Sequence, residues 1–185
     1  MWTEPVVTVA AGSEPVTLAE AKAQCRVTSS DHDTALNLYI AAARDYIERY
    51  TGIRLVEQTV AFSRAAFRAR MVLPVAPVQS IASIEYQDAD DAEQTLASSV
   101  YDFRGADTLR PIITLAEGQS WPTVYSDAEA VTVTAVVGYA EVPEALKHAC
   151  LLLVAHWFHN REGVGGEKEA PFAVQALLEN FRVFQ

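Results

Sequence analysis

The chain has 185 residues, half of them hydrophobic and about a fifth charged, which suits a compact domain and excludes global disorder. Its formal net charge of −10 argues against gripping DNA phosphates, which takes clustered Lys and Arg, but is compatible with a wall past which a duplex slides. No apolar run reaches the roughly 18–20 residues of a membrane span, and Met1-Trp2-Thr3-Glu4-Pro5 shows neither the basic start nor the apolar stretch of a secretory signal.

In chain order, the first signal is Thr17-Leu18-Ala19-Glu20, a capping box that predicts a short helix over residues 18–26. Thr28, Ser29, Ser30 and Asp31 end it and offer caps for the next. Leu36, Ile40, Ala43, Ile47 and Tyr50 recur at spacings of four and three, so residues 33–50 form an amphipathic helix. Gly52 stands where a left-handed C-cap is expected.

From Leu55 the period becomes two. Val56, Gln58, Val60 and Phe62 mark a strand, residues 71–74 a short one closed by Pro74, and Val78, Ile81, Ile84 and Tyr86 a longer one with a bulge near Ser80. Asp88, Asp90 and Asp91 supply turn chemistry before a strand over 94–96. Further strands are expected at 101–103, 112–115 and 131–137. The connections are too short for parallel crossovers, so this module is mainly antiparallel. Helix returns at Pro143 with an apolar face through Leu146, Leu153, Trp157 and Phe158 to about Arg161, and Pro171 opens a final short helix. The expected fold class is α+β: a small helical core of two N-terminal and two C-terminal helices (15–52 and 142–184) carrying a β insertion at about 53–141, all within one domain over 1–185.

No catalytic, cofactor or metal constellation is complete in the sequence. His156, His159 and Glu162 share a helical spacing used by metal sites, but no second cluster completes a coordination sphere. The acids at 88–93 lack the glycine and glutamate that a calcium loop needs at its sixth and twelfth positions. Gly163-Val164-Gly165-Gly166 follows a helix and lacks the Lys-Ser or Lys-Thr of a phosphate loop, so Gly163, Gly165 and Gly166 read as a hinge. Cys25 and Cys150 match no zinc or redox spacing and read as reduced, buried residues.

Charge is distributed unevenly. Arg54, Arg64, Arg68 and Arg70 make the first part of the β-module basic, while Glu85, Asp88, Asp90, Asp91, Glu93, Asp102 and Asp107 make the next part acidic. These are two solvated surfaces, or complementary faces (Arg64, Arg68 and Arg70 against Asp88, Asp90 and Asp91) that meet between neighbouring copies.

The sequence 15–22 (PVTLAEAK), the segment from Ala41 through Tyr50-Thr51-Gly52, Leu73-Pro74 with Pro77-Val78-Gln79-Ser80-Ile81, Val137-Gly138-Tyr139, residues 142–147 and the final Ala176-Leu177-Leu178 with Phe181 follow one another in an order that resembles the head–tail connector (adaptor) family of tailed phages. Members occur in phages, prophages and gene transfer agents. The resemblance implies a non-enzymatic virion protein that forms a dodecameric ring under the portal protein, extends the DNA channel and meets a downstream stopper or tail-side connector. It would enclose DNA without sequence-specific binding and would not engage a membrane. In that setting Leu177, Leu178, Phe181 and Phe184 are candidate portal anchors beyond the hinge; otherwise they complete the helical core. The rival readings are a small enzyme using His148, His156, His159 and Glu162, and a regulatory module whose β insertion holds a ligand.

Overall fold

A computed structural model describes residues 1–160 and 172–183, in an α+β fold that divides into two compact units. One unit comprises Met1–Gly12 and Glu57–Tyr139; the other comprises Ser13–Val56 and the described residues from Ala140 onward.

The helical unit holds α1 (Leu18–Cys25), α2 (Asp33–Thr51), α3 (Glu144–His159) and α4 (Phe172–Leu178). The capping box of α1 is formed: Glu20 N donates to Thr17 Oγ1 at 3.2 Å and Thr17 N to Glu20 Oε2 at 2.6 Å. The Thr17 amide, and then the Thr17 hydroxyl, which also donates to Oε2 at 2.7 Å, hold the Glu20 carboxyl below its ordinary pKa. The start of α2 differs from expectation, because its N-cap is His32 with no side-chain cap; Lys22 instead pairs with Asp33 in the first turn at 2.7 Å. Pro143 is likewise the N-cap of α3 rather than its first residue. Leu36, Ile40, Ala43 and Ile47 form the buried stripe of α2. Helix α3, apolar over much of its surface, touches each of the other three helices through residues such as Leu146, Leu153 and Phe158. Both cysteines are free and buried, and burial pushes the Cys150 thiol up to about 12, so it is protonated at neutral pH.

Helix α2 ends on a dense polar knot. Gly52 adopts φ +75°, which excludes most other residues, and its amide donates to Glu48 O at 2.9 Å. The buried Glu48 carboxylate accepts from Leu55 N at 2.9 Å and pairs with Arg54 at 3.0 Å.

The β unit is built from two antiparallel sheets. The larger has the order β1 (Val6–Val9), β2 (Gln58–Arg64), β8 (Val131–Val137), β4 (Val78–Gln87), β5 (Glu93–Thr95); the smaller has the order β3 (Arg70–Val72), β7 (Ile112–Leu115), β6 (Tyr101–Arg104). Strand β8 alternates buried and half-buried residues along its length, and Val131, Val133, Ala135 and Val137 join Val60, Phe62, Val78 and Ile84 in one core with Met71 and Ile113 of the smaller sheet. Bulges interrupt β4 between Val78 and Ser80 and again between Ile81 and Ser83.

Removing the Glu48 carboxylate leaves the Leu55 amide buried without its acceptor. Glu48→Ala is therefore expected to cost about 2–3 kcal/mol, discounted for the partly exposed Arg54. Glu48→Gln, whose carbonyl can still accept from Leu55, should cost less; urea unfolding of the two variants measures the difference.

Candidate interaction surfaces

Arg64 and the acidic turn after Tyr86 lie at one end of the larger sheet, because Arg64 pairs with Val131, Val131 with Tyr86, and Tyr86 with Gln94. Arg54 belongs to the helical unit, Asp102 to the smaller sheet, and Asp107, whose amide donates to Val78 O, to the other end. Arg64 is largely used within its own chain. Its guanidinium lies 4.7 Å from the centre of the Trp2 ring, and Trp2 in turn packs edge-on against Phe62 at 5.1 Å and donates to Val72 O at 2.6 Å. The following connection is anchored by Phe67, stacked on Trp121 at 4.7 Å and edge-on to Tyr86 at 5.8 Å. Arg68 and Arg70, by contrast, are exposed.

The acidic turn divides in the same way. Asp88 Oδ1 accepts from Asp90 N at 3.0 Å and Ala92 N at 3.1 Å, and Oδ2 accepts from Gln94 Nε2 at 3.0 Å. The Ala92 amide, chiefly, holds the Asp88 carboxyl below its ordinary pKa. Asp88 is thus the organiser of the β4–β5 turn, in which Asp91 takes φ +63°. Asp90 and Asp91 are exposed. Asp91 and Glu93 join Glu85 and Glu129 around a groove of about 360 Å³ whose lining also includes Tyr86 and Thr132. Of the six residues expected at a contact between copies, four (Arg68, Arg70, Asp90 and Asp91) have exposed side chains, while Arg64 and Asp88 hold local structure.

At the C-terminus, Leu178 and Val174 are fully buried in the helical unit, where α4 packs on α3 and α2. Leu177 and Phe181 are half-buried, and Phe172, which sequence reasoning passed over as an anchor, is 85% exposed. Beyond α4 the chain is tied back to the end of α2: Val183 N donates to Thr51 O at 2.8 Å, and Arg182 lies over the Tyr50 ring at 5.0 Å. Gly163, Gly165, Gly166 and Phe184 lie outside the described residues.

His148 and His159 are exposed on α3, and the half-buried His156 sits with Nδ1 3.4 Å from the Asn160 side-chain amide; Glu162 lies outside the described residues. Among the described residues no group of three His, Cys, Asp or Glu is arranged to hold a metal ion, and no described helix is long and apolar enough to cross a membrane.

A sequence-family model described as head completion protein (HCP) matches residues 15–170. No curated protein matches the chain by sequence. Among solved structures, a chain in the neck of an empty gene transfer agent (GTA) particle computed with C6 symmetry is 25% identical, with a TM-score of 0.81 over 99% of this chain and 97% of that one. A chain in the virion of a native GTA particle is 25% identical, with a TM-score of 0.80 over the same shares of 99% and 97%. A chain in the neck of a native GTA particle computed with C12 symmetry is 27% identical, with a TM-score of 0.70 over 96% of each.

The two classes of acid make different predictions. Asp88→Ala should release the Asp90 and Ala92 amides, raising their hydrogen-exchange rates relative to the rest of β4 and β5. Asp90→Ala should leave both rates unchanged, as read by amide exchange in NMR.

Proposed function

This chain belongs to the head completion protein family, and on that footing we propose that it is a structural head–tail connector, assembling as a ring beneath the portal of a DNA-filled phage or gene-transfer-agent head. The observation that carries the reading is the reciprocal, near-full-length match to chains in the necks of GTA particles, which takes in both compact units. A likeness confined to one unit would support only a shared module. Twelve copies is the stoichiometry favoured here: one of those necks was computed with C12 symmetry and another with C6, and six-fold symmetry is contained within twelve-fold.

In this reading the chain is a spacer and adaptor, not an enzyme. Its surfaces join the portal on one side and a stopper or tail-side connector on the other, and the net charge of −10 suits a passage that duplex DNA traverses without sticking. The portal contact falls to the exposed part of the C-terminal segment. Phe172, with the half-buried Leu177 and Phe181, offers apolar surface to a partner, whereas Leu178 and Val174 hold the segment on its own core.

Electron microscopy of the purified chain mixed with its portal tests the reading. A ring coaxial with the portal is expected, and a chain that stays monomeric with portal present overturns it. Phe172→Asp should weaken portal binding at least tenfold without lowering the melting temperature, while Leu178→Asp should unfold the helical unit.

A further inference from the structure

The larger sheet of the β unit leaves a backbone edge open on each side, and the two differ in character. On one side β1 is an edge strand whose four residues are all exposed, with Val6, Val7 and Val9 between 44% and 64% accessible. Trp2, just before it, donates to Val72 O, so the exposed Val72 of edge strand β3 lies on the same side. Exposed Arg70 adds positive charge there. An apolar, uncharged edge strand is a template for another strand, and soluble proteins normally shield or charge such edges.

On the opposite side β5 covers only Glu85, Tyr86 and Gln87 of β4. Leu96 N closes on Ile84 O at 2.8 Å and Asp107 N on Val78 O at 3.0 Å. Between these bonds residues 79–83 form a window in which Ser80 and Ala82 are exposed. Acidic Glu85 and Glu93 flank it on the larger sheet; Asp102, on edge strand β6 of the smaller one, is paired with Arg104 of its own chain at 3.3 Å.

The two edges are level with one another. Val6 pairs with Ala61, Ala61 with Thr134, and Thr134 with Ser83; Val9 leads through Thr59 and Val136 to Ser80. Strand directions alternate across the sheet, so a β1 laid beside β4 runs antiparallel to it. We propose that β1 of one copy adds to the 79–83 window of β4 in the next copy, carrying the larger sheet from subunit to subunit around the ring. The contact is heterologous and can close only as a ring or run on as a filament. The valines are covered, and Arg70 of one copy meets the acidic flank of its neighbour, where Glu85 and Glu93 carry the charge and Asp102 is already paired with Arg104, which favours a second copy as the occupant.

This inference rests on the ring proposed above. Its test is disulfide trapping in the full chain assembled on its portal, using Val9→Cys with Ser80→Cys, and Val7→Cys with Ser80→Cys for a register displaced by two residues. Cys25 and Cys150 are buried and serve as internal controls. Oxidation of a double variant should give a ladder of covalent multimers on non-reducing gels, and an equimolar mixture of the two single variants should stop at dimers. Rings seen by microscopy that yield no ladder overturn the sheet contact and leave the connector reading standing, as does a Val9→Cys cross-link to a different protein. Absence of rings in the unmodified chain overturns both.

Discussion

Strand β8 has to be flanked by two strands remote from it in the chain, and the β unit exists only if both pairings form. Ser63 and Thr132, which share a hydrogen bond at 3.0 Å across the β2–β8 pair, are 69 residues apart in sequence. Closing a loop of that size costs entropy that no local turn offsets. The compensation is the row of Val131, Val133, Ala135 and Val137, each fully buried against residues of β2, β4 and the smaller sheet. The same pairing explains how so long a segment fits between α2 and α3. Gln58 sits opposite Val137, so the segment enters and leaves the sheet side by side.

Much of this was legible in the sequence because it is periodic. The four-and-three spacing of Leu36, Ile40, Ala43 and Ile47 and the alternation of residues 131–137 are direct images of one buried face, and the structure reproduces both. Strand β1 escaped for the complementary reason. Val6, Val7, Thr8 and Val9 are all exposed, so no inward face imposed an alternation that could be read. The division of the strands into two sheets was equally invisible, since pairing between distant segments leaves no local trace. At the candidate surfaces, composition located the charged segments but could not sort them. Arg64 differs from Arg68 only through Trp2, and Asp88 differs from Asp90 only through the amides it accepts. Leu178 and Phe172 show the same limit, because hydrophobicity alone does not say which side of a short helix meets the core.

For a connector these distinctions separate the parts that maintain the subunit from those free to meet others. Glu48, Asp88, Arg64 and Leu178 maintain it. Among the described residues, those exposed and free to meet a neighbour include an apolar strand edge, a pair of arginines, a pair of aspartates and Phe172, beside isolated apolar side chains such as Leu38 and Tyr125. A protein whose work is to be held between neighbours needs little more chemistry than that.

The place of β1 ahead of both early helices also orders events on the ribosome. Val6–Val9 emerges before α1 and α2, but the β2 strand that receives it comes only after both, and the sheet is complete once Val137 has appeared. Helix α2 waits longer, since its apolar stripe has no full cover until α3, ending at His159, follows. At the usual 5–20 residues per second of synthesis, the nascent chain therefore carries an exposed helix stripe for several seconds, during which the sheet is the first unit able to close. Folding thus departs from the order of synthesis: α1 and α2 are made before most of the sheet, yet the helical unit closes after it.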